Sequence, residues 1–174
     1  TATVTNSQLS GGIAGAQATA GSQLTIQGSQ LTGPRPTGVG LRLLGGNATI
    51  IDSTVTGQAS GIRLLLEGGV NREPELTLDH ARVIGLNGPA ISVGANTDAT
   101  VQVSNGSTLT GSNGVAISVA GASTLPGVVD DSVLTGGVTI ADQAARDLQF
   151  SNPQGDGHFE IGGTVDASFE GFAL

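Results

Sequence analysis

The chain contains no Cys, Met, Trp, Tyr or Lys, and only four Phe. The lack of Cys excludes disulfides, zinc-thiolate sites and thiol catalysis. Six Arg stand against 14 acidic residues, for a net charge of −8. That balance leaves no basic patch broad enough to neutralise a run of phosphates, so neither nucleic acid nor an anionic membrane surface is an expected partner. No stretch approaches the roughly 18 to 20 consecutive apolar residues of a membrane-spanning helix, and no charged start followed by an apolar run marks a signal peptide. Direct membrane insertion of this segment is therefore not expected. The near-absence of aromatics leaves Val, Ile, Leu and Ala to build the core.

What is present is 29 Gly, abundant Ser and Thr, and a hydrophobic fraction of 37 % within 174 residues. Regular small apolar clusters can offset chain entropy, which argues for one folded domain rather than a disordered chain. The chain starts at Thr1 inside a strand-like pattern without an initiator Met. It reads as a piece of a longer polypeptide whose targeting signals are not in view.

A phrase of the form apolar-Thr-apolar-x-x-Ser-x-Leu-Thr-Gly recurs at 2–11, 24–33, 48–57, 76–85, 101–111 and, degenerate at its start, 127–136. The closing glycines Gly11, Gly33, Gly57, Gly85, Gly111 and Gly136 are separated by 22, 24, 28, 26 and 25 residues. Within each copy, apolar residues fall two apart, as a strand with one buried face requires. Aligning the copies gives one inward column of Val4, Ile26, Ile50, Leu78, Val103 and Val129. It gives a second of Leu9, Leu31, Val55, Val83, Leu109 and Leu134. A further strand follows each closing glycine from the second copy on, with Leu41 and Leu43, Ile62 and Leu64, Ile91 and Val93, Ile117 and Val119, and Val138 and Ile140.

A repeat this short cannot bury its own apolar face, so it must stack on its neighbours, with equivalent strands parallel at about 4.8 Å. Parallel crossovers are right-handed, which makes the expected fold an all-β, right-handed parallel β-helix of about 22–28 residues per coil. A sandwich of antiparallel hairpins also gives short strands at regular spacing. It does not require equivalent residues to recur at each coil. Regular coils are expected over 1–140 and irregular coils of the same helix over 141–174. That last stretch holds Phe150, Phe159, Phe169 and Phe172, with alternation in Leu148 and Phe150 and in Phe159 and Ile161.

Asp52-Ser53-Thr54-Val55-Thr56-Gly57, Gly61-Ile62-Arg63-Leu64, and Ala90-Ile91-Ser92-Val93 followed by Gly94-Ala95 resemble the coils of pertactin-type bacterial autotransporter passenger domains. The resemblance spans nearly the whole chain, but its motifs build coils and speak to architecture more than to activity. It implies a virulence-associated adhesin displayed at the cell surface or released outside a Gram-negative bacterium. A C-terminal β-barrel translocator is then expected in the full-length chain, with a host-cell or cell-surface protein or glycan as partner. The Arg-Gly-Asp tripeptide associated with pertactin is absent, so attachment through that motif is not implied.

Many β-helices act on acidic polysaccharides, and three fragments test that reading. Asn96-Thr97-Asp98, Asp130-Asp131 and Gly157-His158 are similar to elements of polygalacturonase-like hydrolases, whose carboxylates flank the glycosidic bond. On the repeat, Asp130-Asp131 aligns with Ile51-Asp52 at the end of a first strand, whereas Asn96-Thr97-Asp98 lies in the turn leading into such a strand. The third element lacks its second glycine, and no Lys follows. A calcium-dependent lyase would need clustered acids beside a basic residue; Asp130, Asp131 and Asp142 read instead as turn-capping residues. His80 and His158 do not cluster by spacing and read as surface residues. No Gly-x-Ser-x-Gly elbow occurs. The column Thr3, Thr25, Thr49 and Thr77 raises an ice-binding reading, but one Thr per strand and uneven coils fit ordinary β-propensity better.

No catalytic, cofactor-binding or metal site is therefore expected. A carbohydrate-active β-helix with its site partly outside this segment, and a structural stalk, stand as alternatives to an adhesive scaffold. The candidate interaction surface comprises Arg42 and Arg63, at equivalent outward places on adjacent coils, and the insertion that makes the longest repeat. That insertion, 67–75, includes Glu67, Asn71, Arg72, Glu73 and Glu75. It is expected to supply an anion to the Arg pair or to bear a binding surface.

Overall fold

The computed structural model describes residues 1–68, 72–120, 127–130, 133–140, 148–151 and 160–162. Among them every regular element is a β-strand. The first coil carries β1 (Ala2–Thr5), β2 (Gln8–Ser10) and β3 (Ala14–Thr19), and the second β4 (Gln23–Gln27), β5 (Gln30–Gly33) and β6 (Val39–Leu44). The third carries β7 (Asn47–Ile51), β8 (Thr54–Gly57) and β9 (Ser60–Leu65), and the fourth β10 (Glu75–Asp79), β11 (Arg82–Gly85) and β12 (Ile91–Val93). Then follow β13 (Thr100–Ser104), β14 (Thr108–Val119), β15 (Gly127–Asp130), β16 (Val133–Ile140), β17 (Leu148–Ser151) and β18 (Glu160–Gly162).

Each strand pairs in parallel with its equivalent in the next coil, so the chain is a parallel β-solenoid. The first strands of the coils form a seven-stranded sheet in the order β1-β4-β7-β10-β13-β15-β17. The second and third strands form an eleven-stranded sheet, in which the long strand β14 joins the ladder β2-β5-β8-β11 to the ladder β12-β9-β6-β3. The aligned columns fall into register: Val4 pairs with Ile26, Ile26 with Ile50, Ile50 with Leu78, and Leu78 with Val103. Leu9, Leu31, Val55, Val83 and Leu109 do the same in the other sheet. Both columns face a single dry core in which Ile26, Leu31, Ile50, Val55, Leu78, Val83 and Leu109 are buried. Burying one such Leu or Ile contributes roughly 1.5–3 kcal/mol.

Two features of the sequence fix the corners. Between the first and second strands of the first five coils the chain enters a left-handed backbone, at Asn6 (φ 48°), Gly28 (φ 58°), Asp52 (φ 48°), His80 (φ 50°) and Asn105 (φ 54°), the last followed by Gly106 (φ 70°). Asn, Asp and Gly tolerate that region, which is why these types recur there. After the second strand, the closing glycines sit where backbones nearly touch. A Cβ built at Gly57 would run into the carbonyl oxygen of Ser60, and one at Gly85 into that of Pro89.

Inside the first corner, buried serines replace the ladder that the bend interrupts. Ser29 Oγ donates to Gln27 O at 2.8 Å and accepts from Ser7 N at 3.0 Å, and Ser53 Oγ donates to Ile51 O at 2.6 Å and accepts from Ser29 N at 3.0 Å. Polar groups in a dry corner must be paired, and each hydroxyl serves two coils at once.

At the far end, Gly127, Val128, Val129 and Asp130 pair with Leu148, Gln149, Phe150 and Ser151, and Val133, Leu134 and Thr135 with Glu160, Ile161 and Gly162. Both sheets thus extend past residue 141. The expectations placed on Phe159, Phe169 and Phe172 lie outside the described residues.

Candidate interaction site

The third coil is the long one because nine residues, 66–74, separate β9 from β10, where the second coil passes from β6 to β7 through Gly45 and Gly46 alone. Residues 66–68 and 72–74 are described; Asn71 lies outside the described residues. The start of the insertion is tied to its neighbours. Leu66 N donates to Thr97 Oγ1 at 3.2 Å, one coil later, and Glu67 Oε2 accepts from Ala20 N at 2.9 Å, two coils earlier. Its end is tied as well. Thr100 N donates to Pro74 O at 3.0 Å, and Asn47 Nδ2 donates to Glu75 Oε2 at 2.8 Å.

Between these ties the segment lies back over the preceding corners. Gly21 (φ 76°) and Gly45 (φ 64°) take the left-handed turns of the first and second coils. A Cβ built at Gly21 would stand 3.4 Å from Arg72 Nη1, and one at Gly45 2.8 Å from Arg72 O. Arg72 therefore packs across both turns, and bare turns there are what let it approach. Under this ledge is a cleft of about 330 Å³ lined by Gln23, Gly45, Asn47, Arg72, Glu73 and Glu75. It adjoins a second hollow of about 230 Å³ on the seven-stranded sheet, floored by Thr25, Thr49 and Thr77 and sharing Gln23, Asn47 and Glu75. The lining is polar, with the exposed Arg72, Glu73 and Glu75 on the rim. It can accept and donate hydrogen bonds to an extended polar ligand laid across the strands.

The sequence-derived residues divide into two groups. Arg72, Glu73 and Glu75 line the cleft. Arg42 and Arg63 are directly paired across β6 and β9 in the other sheet, as the repeat alignment required. Glu67 does not supply the Arg pair with an anion: its carboxylate is held by Ala20 N, and no ion pair to Arg42 or Arg63 occurs among the described residues. Gln23 and Asn47 were not singled out from sequence, although the repeat places them in register with Glu75, and the Gly21 and Gly45 turns sit two residues before them.

The fragments considered for catalysis are also located. Asn96 (φ 54°), Thr97 and Asp98 form the turn between β12 and β13, with Thr97 Oγ1 buried against Leu66 N, while Asp130 ends β15 in the seven-stranded sheet. Asp131, Asp142 and His158 lie outside the described residues. His80 is on an exposed corner, its Nδ1 3.5 Å from Asp52 Oδ1. Among the described residues no three His, Asp or Glu come together in a group that could hold a metal ion. The threonines of the Thr3, Thr25, Thr49 and Thr77 column are in register, but the next coil places Gln102 there.

No family model, no curated protein and no solved structure matches this chain.

Proposed function

We propose that this chain is part of the surface-displayed passenger region of a pertactin-type autotransporter. In this reading it is a non-catalytic scaffold that attaches to a host-cell or cell-surface protein or glycan. Its place would be the extracellular face of a Gram-negative outer membrane, carried there by a C-terminal β-barrel. The observation that supports the reading best is the docked insertion. Regular coils are held by packing on both neighbours, whereas a segment tied at both ends to coil corners can vary its rim residues without disturbing the stack. In this reading recognition falls to the Arg72, Glu73 and Glu75 rim of the cleft floored by Gln23 and Asn47.

The test uses beads coated with the chain and applied to cultured epithelial cells. The double variant Arg72→Ala/Glu73→Ala changes two exposed side chains, so its melting curve should match the parent within about 0.5 kcal/mol of stability. Its adhesion should fall to the level of uncoated beads. Unchanged adhesion by a folded variant would remove the insertion as the binding site and leave the stalk reading in its place.

A further inference from the structure

The eleven-stranded sheet carries a feature with no structural account in the fold: two arginines set directly opposite each other on adjacent strands. Arg42 of β6 pairs with Arg63 of β9, one strand spacing apart, about 4.8 Å. Like charges so placed destabilise a sheet. Among the described residues neither guanidinium has an ion-pair partner, and Arg42 Nε is buried without a hydrogen-bond partner. Among the described residues the carboxylates stand elsewhere. Asp52 is on the first corner, Glu67 on Ala20, Glu73 in the insertion, Glu75, Asp79 and Asp130 on the seven-stranded sheet, Asp98 in the β12–β13 turn, and Glu160 on β18.

The row on which the pair lies is uniform in another respect. Gln17, Arg42, Arg63, Ser92 and Ser118 succeed one another in register across five coils. Each is at least partly exposed, each offers a donor, and none is acidic. At its lower end a shallow hollow of about 700 Å³ is shared by Arg42, Arg35, Gln17 and the glycines below them. The Arg35 side chain lies over Gly12, and Ile13, 63 % exposed, borders the same hollow as an apolar step. Three of the six arginines in a chain of net charge −8 thus gather on one flank.

We propose that this flank is a binding site for an acidic polysaccharide, its carboxylates or sulfates taken by Arg35, Arg42 and Arg63 and its hydroxyls by Gln17, Ser92 and Ser118. Guanidinium is the side chain best suited to bidentate capture of such oxyanions. The repeat of the row selects the polymer. An extended peptide presents successive same-face carboxylates about 6.6–6.8 Å apart, which does not match strands at about 4.8 Å. A 1→4-linked pyranose chain advances by roughly one strand spacing per ring, so it can run along the solenoid axis with each ring on a new coil. The site is separate from the cleft beneath the insertion and does not depend on it.

The experiment is titration of the chain with a fluorescently labelled, heparin-derived decasaccharide at low salt. Parallel arms use a neutral dextran fragment, a poly-glutamate peptide and sodium sulfate at matched charge. Saturable binding is expected with the sulfated oligosaccharide and not with dextran. It should weaken by about tenfold or more in Arg42→Gln/Arg63→Gln, since two charge-assisted contacts are lost. It should be retained when 67–75 is replaced by a Gly-Asn turn, which separates this site from the proposed adhesive cleft. Without ligand, the double Gln variant should melt at or above the parent, because the like-charge pair is gone. Full affinity in the double Gln variant would overturn the proposal, and so would a variant that melts well below the parent. Equal binding of poly-glutamate would assign the row to an acidic protein segment instead. Complete competition by inorganic sulfate would reduce it to an adventitious ion site.

Discussion

The buried corner serines act on two coils each, and one position in the column lacks the hydroxyl. Ala81 stands where Ser7, Ser29, Ser53 and Ser107 stand in the other coils. Its own N–H donates to Ser107 Oγ at 3.0 Å, but it offers nothing to the Ser53 N–H of the coil before it. Ala81 and Ser53 are 2 % and 4 % exposed, so the corner there is dry. The preceding residue, His80, has the same left-handed φ as Gly28 and Asp52, which precede Ser29 and Ser53, so a serine at 81 would meet the same geometry. Ala81→Ser should therefore stabilise the chain by about 0.5–1.5 kcal/mol, the net worth of one well-made hydrogen bond. Urea denaturation read by circular dichroism measures it. A midpoint at or below the parent's would mean that the hydroxyl finds no partner and that the ladder ends at Ser53.

The strands themselves were legible from sequence wherever large aliphatic residues marked the inward face. Leu41 with Ile62, Ile91 and Ile117, and Leu43 with Leu64, Val93 and Val119, stand in register as aligned. β3 was hidden because its inward residues are Ala16 and Ala18, which carry no hydrophobic signal, although both pair with the leucines of β6. β14 was hidden too. It runs unbroken from Thr108 to Val119 and absorbs the turn after Gly111 as register shifts against β16, where sequence shows only another glycine-rich break. The insertion was legible as an excess of length, and the Arg42–Arg63 pair as a repeat position. The direction of the insertion was not, because it is decided by one carboxylate reaching 47 residues back to Ala20 N and by bare turns at Gly21 and Gly45. Arg35 escaped notice because it lies between prolines in a loop outside the repeat. Where the columns are legible they are also sensitive. Leu109 is fully buried and stands in register with Val83 on one neighbouring strand and Leu134 on the other. An aspartate there would be an unpaired buried charge costing several kcal/mol, against a typical domain stability of about 5–15 kcal/mol. Leu109→Asp should abolish the cooperative melt seen by circular dichroism, whereas a parent-like melt would show the column to be solvated.

Among the described strands, packing is overwhelmingly within a coil or between a coil and the next, so stability is a sum of coil terms and nearest-neighbour interfaces rather than the property of a closed core. In the segment 1–174 taken by itself, β1 is the outermost strand of the seven-stranded sheet and β2 and β3 are the outermost strands of the two ladders, so in that isolated segment the first coil packs on one neighbour. Its burial reflects this. No residue of β1 or β2 is fully buried, β3 contributes only Ala18 at 3 %, and Ile13 is 63 % exposed. In the third and fourth coils, by contrast, Ile50, Val55, Ile62, Leu64, Leu78, Val83 and Ile91 have no exposed surface. Opening the first coil therefore breaks one interface and exposes little apolar area, while opening β7 to β9 breaks two and exposes much. Native-state hydrogen exchange should follow that order, since sub-global opening is governed by the contacts each unit loses. Amides of β1, β2 and β3 should exchange fastest, those of β4 to β6 more slowly, and those of β7 to β12 slowest, with the difference narrowing as denaturant approaches the unfolding midpoint. Equal protection from β1 through β12 at low denaturant would mean that the solenoid opens as one unit, and that coupling between coils exceeds the stability of any single interface.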